Sequence, residues 1–182
     1  VKALPRGHIL IADKQGISLR AYENRFNTDA IELSDENVIT ETRRVVTQAI
    51  KTRLLSDVPI GAFLSSGLDS SLVCTIARQN LPELTTFSIG FEDLSDPYHG
   101  RADESEYAKA YAQKIGSRHH SIHINSDIFR GFLKQFCMYG DQPFSVSSGL
   151  GILAVAKAAR EQGIQVLLSG DGADECFGGY SW

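Results

Sequence analysis

The chain has 182 residues, 42% of them hydrophobic, which is enough apolar material for one domain with its own core. A formal net charge of −4 and a pI near 5.7 argue against a nucleic-acid partner, which calls for a basic face. No apolar run reaches the roughly 20 residues of a membrane span, and no signal peptide precedes the first motifs.

His8 to Ala12 reads as a short strand, Asp13 to Gly16 as a turn and Ile17 to Tyr22 as a returning strand. After a polar stretch from Asn24 to Asp29, Ser34 is the expected N-cap of a helix reaching about Leu55. Its apolar positions Val38, Val45, Val46, Ile50 and Leu54 recur at helical spacing. From there strands and helices alternate. Val58 to Leu64 is an apolar run suited to a strand buried on both faces. Ser70 to Arg78 is a helix with Leu72, Val73 and Ile76 expected inward. Leu84 to Phe91, His119 to Ile124 and Gln165 to Leu168 are further strands. Helices are expected over Glu104 to Ile115, Asp127 to Tyr139 and Leu150 to Gln162. This alternation predicts an α/β domain, a parallel sheet with helices on both faces. Ligands of such sheets sit at the carboxyl ends of the strands, and two loops rich in Gly, Ser and Asp leave strand ends here.

The first loop, Ser65 to Ser71, runs from a buried strand into a helix. Gly67 allows the backbone to approach a ligand closely and is compatible with a positive φ. Ser65, Ser66, Ser70 and Ser71 supply hydroxyls, and the helix start supplies free N–H groups and a positive dipole end. The result is an anion cradle. Asp69 inside it would repel a bare anion, but fits a Mg²⁺ bridging its carboxylate to a polyphosphate. The loop lacks the lysine of the G-x-x-x-x-G-K-[ST] motif, and it is no G-x-S-x-G elbow, since Leu64 stands two before Ser66. The competing reading is a plain serine-rich helix cap.

Ser66-Gly67-Leu68-Asp69-Ser70, preceded by Ser65, resembles the S-G-G-x-D-S pyrophosphate loop of the ATP pyrophosphatase (PP-loop) group, with Ser66 and Gly67 covering the glycine positions. That group cleaves ATP between the α- and β-phosphates. The resemblance implies an adenine nucleotide alpha hydrolase-like fold.

The second loop, Ser169 to Tyr180, interleaves Asp171, Asp174 and Glu175 with Gly170 and Gly172. Such a loop suits metal binding or acid–base work, and its spacing does not fit a calcium-binding helix-loop-helix. An acidic turn facing water is the competing reading. The segment Ser169-Gly170-Asp171-Gly172-Ala173-Asp174-Glu175-Cys176-Phe177-Gly178-Gly179-Tyr180 resembles the S-G-[DE]-G-x-D-E-x-F-G-G-Y signature of glutamine-dependent asparagine synthetases and the related β-lactam synthetases. The Leu55–Gly61 approach, Thr86–Glu92, Asp103-Glu104 and Asp141–Phe144 add to the likeness. Gln142 departs from the family's D-E-P-F. The resemblance covers residues 31 to 182, as a synthetase domain truncated at its C-terminus. Leu4-Pro5-Arg6-Gly7-His8 resembles the last hairpin of the glutaminase domain that precedes it, which assigns residues 1–30 to that domain's end or to a linker.

The resemblance implies an enzyme that adenylates the side-chain carboxylate of aspartate with ATP and Mg²⁺, so that ammonia can attack. Ser65, Gly67, Asp69, Ser70 and Ser71 would hold the pyrophosphate end. Asp69 and Asp174 would share Mg²⁺, and backbone of Leu64, Ile89, Ser169 and Gly170 would line the adenosine. Asp171 would take a proton as ammonia attacks. Ammonia would come from a glutaminase domain absent from this chain, and a homodimer is compatible with the family. Two other functions compete: amidation of a different carboxylate, and a non-catalytic nucleotide-sensing domain.

Val1 in place of Met, and a last residue Trp182 just after a glycine-rich loop, lead us to expect a piece of a longer protein, inactive alone. The cysteines Cys74, Cys137 and Cys176 are scattered, which suits a reduced, cytoplasmic protein. Cys74 is expected in the core, and no activating base stands near Cys176 in sequence. His119, His120 and His123 lie on one strand without a carboxylate or Cys at ligand spacing, so a half-buried strand is preferred to a metal site. Glu92 to Asp96 is expected to be a solvated loop over the site.

Overall fold

The computed structural model describes residues 2–22, 32–91, 105–140 and 148–179. The chain divides into two compact units, Val1–Glu41 and Thr42–Trp182. The boundary expected between residues 30 and 31, the acidic stretch Glu92 to Asp96 and the segment Asp141 to Phe144 lie outside the described residues.

In the first unit, β1 (His8–Asp13) and β2 (Gly16–Ala21) form an antiparallel hairpin, with His8 opposite Ala21 and Asp13 opposite Gly16. The turn is closed by Asp13, whose Oδ1 accepts the Gln15 N–H at 2.7 Å, a local bond this residue type favours. Helix α1 (Asp35–Thr52) begins in this unit with Asp35 and Glu36 in its first turn, where carboxylates complement the helix dipole. Its apolar stripe buries only Ile50, while Val38 and Val45 are exposed.

The second unit is built on β3 (Ile60–Phe63), β4 (Thr85–Phe91), β5 (Arg118–Ile124) and β6 (Val166–Leu168). All pairings are parallel and the order is β5-β4-β3-β6. Between them run α2 (Leu68–Asn80), α3 (Ser105–Ile115), α4 (Ser126–Gly140) and α5 (Ser148–Glu161). A short α6 (Ala173–Phe177) follows β6. Alternation along the strands sends Ala62 and Leu64 to one face, into a core with Cys74, Ala77, Ala108 and Ala112 of α2 and α3. Phe63, Phe87, Ile89 and Ile122 go to the other, against Val155 and Ala159 of α5. This is the expected α/β sheet with helices on both faces. Central β3 is tight: a Cβ on Gly61 would lie 2.9 Å from the Thr85 carbonyl oxygen and 3.0 Å from Leu167 Cδ2.

One orientation differs from expectation. Leu72 is 44% exposed, whereas Ile76 and Cys74 are buried as expected, together with Ser70 and Ala77. Ser70, Cys74 and Ala77 form an i, i+4, i+7 stripe of small side chains, which lets the helix lie close to Ala62 and Leu64. Close approach along that stripe outweighs burial of the larger Leu72. Among the described residues no helix is long and apolar enough to cross a membrane.

Candidate active site

Strand order fixes where the site must be. From β3 the chain moves to β4 and then β5 on one side, and returns to place β6 on β3's other side. The two loops singled out in the sequence therefore leave the neighbouring strands β3 and β6, at the point where the order reverses. Crevices of parallel sheets open at such points.

The first loop is organised by two serines. Ser70 is buried, and its Oγ accepts the Ser65 N–H at 3.1 Å and lies 2.8 Å from Ser65 Oγ. Ser65 Oγ in turn accepts the Gly67 N–H at 3.1 Å. The Ser70 hydroxyl is thus turned into the loop, holding it closed. Leu64 is buried, with its N–H bonded to the Phe87 carbonyl at 2.8 Å, and this ties the loop's root to β4. Gly67 has φ −66° and ψ 151°, extended rather than left-handed. Its freedom is spatial, since a Cβ there would stand 3.1 Å from Ser65 Oγ. No side chain caps α2, and its first backbone bond runs from Ser71 N–H to the Gly67 carbonyl. The N–H groups of the first turn and the positive end of the helix dipole remain available to an anion, with half-buried Asp69 beside them.

The second loop touches the first. A Cβ on Gly170 would lie 2.9 Å from Asp69 Cβ, 3.0 Å from the Ser70 nitrogen and 3.1 Å from the Asp69 carbonyl carbon. Ser169, exposed, and Gly170 follow β6 directly. The Ala173 N–H reaches back to the Gly170 carbonyl at 3.3 Å and starts α6. Gly172, at φ 94°, supplies the left-handed residue before that helix, and Gly178, at φ 70°, ends it. Asp171 is exposed and Asp174 half-buried. Ile89 lies on β4, partly buried against Phe87 and Val155. The structure so brings Asp69, Ser70 and Gly170 together directly and roots Leu64 and Ser169 on adjacent strands. Tyr180 lies outside the described residues.

The donor set suits Mg²⁺ better than a caged metal. Among the described residues no group of three or more His, Cys, Asp or Glu is placed to hold a metal ion. Mg²⁺ keeps several waters and takes one or two carboxylates plus phosphate oxygens. Asp69 and Asp174 are half-buried carboxylates on the two loops, the kind of ligand such an ion takes.

Away from these loops, a cleft of about 420 Å³ lies between α3 and β5. On its floor, His119 Nδ1 lies 3.0 Å from Thr86 Oγ1 and Nε2 lies 3.1 Å from Ser88 Oγ. Burial, then the neighbouring His120 and Lys109, lowers the His119 pKa from its usual 6.5. Strand β5 is half-buried, as its sequence suggested. Cys74 is buried, with its thiol donating to the Phe63 carbonyl at 3.4 Å, and desolvation raises its pKa to about 12.

A parallel sheet of this order, with a Ser- and Gly-lined helix start at the reversal, defines an adenine nucleotide alpha hydrolase-like domain. The solved U34-tRNA thiolase of Methanococcus maripaludis shares the fold, with a TM-score of 0.50 at 16% identity over 79% of this chain and 49% of that one.

Residues 41–182 match the asparagine synthase family, and the chain belongs to it. It is 40% identical over 147 residues to a putative glutamine-hydrolysing asparagine synthetase of Methanocaldococcus jannaschii, covering 80% of this chain and 27% of that protein. It is 31% identical over 180 residues to asparagine synthetase 1 of Bacillus subtilis, covering 99% and 27%. It is an asparagine synthetase-like synthetase domain that spans about a quarter of the length of these relatives.

The geometry gives two glycines contacts that the sequence reading did not include. Gly170 is the point of contact between the loops. Gly179 lies against the Asp174 side chain. The doubled Gly178-Gly179 after an acidic helix was the available signal.

Proposed function

We propose that this domain activates the side-chain carboxylate of aspartate in a glutamine-dependent asparagine synthetase. A carboxylate oxygen attacks the α-phosphorus of ATP, the bond to the bridging oxygen breaks, and pyrophosphate leaves. Ammonia then attacks the acyl carbon, and AMP departs with its electron pair. Both steps are mainly a matter of placement and charge neutralisation.

The start of α2, with Ser65, Gly67 and Ser71, receives the β- and γ-phosphates, and Ser70 holds that loop in shape. Asp69 and Asp174 would hold Mg²⁺, and the bound ion would supply positive charge to neutralise the leaving pyrophosphate. Backbone at Leu64, Ile89, Ser169 and Gly170 lines the adenosine. Exposed Asp171 accepts a proton from the attacking ammonia. Ammonia is supplied by a glutaminase domain, of which residues 1–30 are the end or the linker, and the enzyme works as a cytoplasmic homodimer. The contact of Gly170 with Asp69 and Ser70 carries this reading, because it joins the phosphate loop to the acidic loop in one site.

Gln142 in place of the family's glutamate favours a second reading, the same chemistry on another carboxylate. Product analysis tests the reaction class: the full-length protein given labelled ATP, aspartate and ammonia should release AMP and pyrophosphate. Release of ADP and phosphate would contradict it, and AMP formed only with another acid would support the second reading.

A further inference from the structure

The glycines of the acidic loop do different work. Gly172 and Gly178 have left-handed backbones and open space where a side chain would go, so their role is conformational. At Gly179 no left-handed φ is involved, and the obstacle is the Asp174 side chain itself. A Cβ there would overlap Asp174 Oδ1 and lie 3.0 Å from its Cγ. The backbone holds the two residues in register, since the N–H groups of Gly178 and Gly179 both point to the Asp174 carbonyl, at 2.8 and 3.3 Å. The carboxylate thus lies in the space that a side chain at position 179 would fill.

We propose that Gly179 is a positioning residue for Asp174: its bare Cα leaves room for the carboxylate where it stands, the placement from which it would hold Mg²⁺. This rests on the assignment of Asp174 as a metal ligand. A methyl group at 179 moves the carboxylate rather than the backbone, because the carboxylate is the end of a rotatable side chain while the chain at 179 is free of φ strain.

The test is Mn²⁺ binding followed by electron paramagnetic resonance, with the full-length protein and the non-hydrolysable α,β-methylene analogue of ATP. Gly179→Ala should weaken Mn²⁺ binding by roughly tenfold, the scale seen when a group that orients a metal ligand is lost. The thermal midpoint should stay unchanged. In an Asp174→Asn background, Gly179→Ala should add nothing, since the two act as a unit. If Asp174→Asn weakens binding and Gly179→Ala does not, or if the two effects add, the positioning role is wrong. If Asp174→Asn itself leaves binding intact, the metal assignment falls and the positioning role falls with it.

Discussion

Gly170 packs its bare Cα against Asp69, so closely that an added methyl group would lie 2.9 Å from the Asp69 Cβ. Two loops distant in sequence are joined at this point. The groups facing Gly170 include the Ser70 nitrogen and the Asp69 carbonyl carbon, which are backbone and cannot swing aside. Gly170→Ala should therefore push the loops apart. Overpacking of this kind costs about 1–3 kcal/mol. The larger effect is expected in catalysis, a fall of about 100-fold in kcat/KM for ATP, since misplacement by an ångström is enough. Steady-state kinetics beside a denaturation curve checks both, and unchanged kinetics would show that the contact is not needed.

Ser70→Ala removes the acceptor for the Ser65 N–H and the partner of the Ser65 hydroxyl. The loss should destabilise the fold by about 1 kcal/mol and loosen the loop. The KM for ATP should rise more than kcat falls, because the hydroxyl shapes the cradle. A Ser71→Ala variant, whose side chain takes no part in the Ser65–Ser70 pair, should leave the denaturation midpoint in place.

How much of this was legible in the sequence depended on what each residue had to do alone. The two loops were visible because a buried strand running into Gly, Ser and Asp before a helix is a local pattern, and the strand alternation followed from runs such as Val58 to Leu64. Directions were harder. Leu72 reads as an inward residue by its type, yet the small stripe of Ser70, Cys74 and Ala77 sets the phase of α2. The Ser70 hydroxyl, expected at the pyrophosphate, also bonds to Ser65, a partner the sequence did not indicate. Both depend on how closely α2 approaches β3, which no local pattern records. The fit of Gly170 to Asp69 likewise exists only once β6 lies beside β3.

The polar cluster at His119 should make the fold sensitive to acid. Its folded-state pKa is lowered by burial, His120 and Lys109, so the unfolded chain binds the proton more readily. The stability this contributes is present above the ordinary value of 6.5 and is lost as pH falls through the folded-state value. The thermal midpoint should drop as the pH falls from 6.5 through the lowered folded-state value, and His119→Gln should flatten this part of the profile. An unchanged profile in the variant would assign the drop to other groups.

Thiol labelling separates the three cysteines. Cys137 and Cys176 are exposed, whereas Cys74 is buried with its pKa raised to about 12. At pH 8 a thiol reagent should modify Cys137 and Cys176 promptly, and Cys74 only after denaturation, because the thiolate is the reactive form. Prompt loss of Cys74 in the native protein would mean that α2 is not seated on the sheet.

These two loops are proposed to form an acyl-adenylate from aspartate. Pyrophosphate–ATP exchange by the full-length protein tests it most directly, since exchange needs reversible adenylation and no ammonia. Exchange should require both Mg²⁺ and aspartate and fall by about 100-fold or more in Asp69→Asn, the scale of removing a group that stabilises charge in the transition state. Exchange that proceeds equally well without aspartate, or that is unchanged in Asp69→Asn, would contradict it.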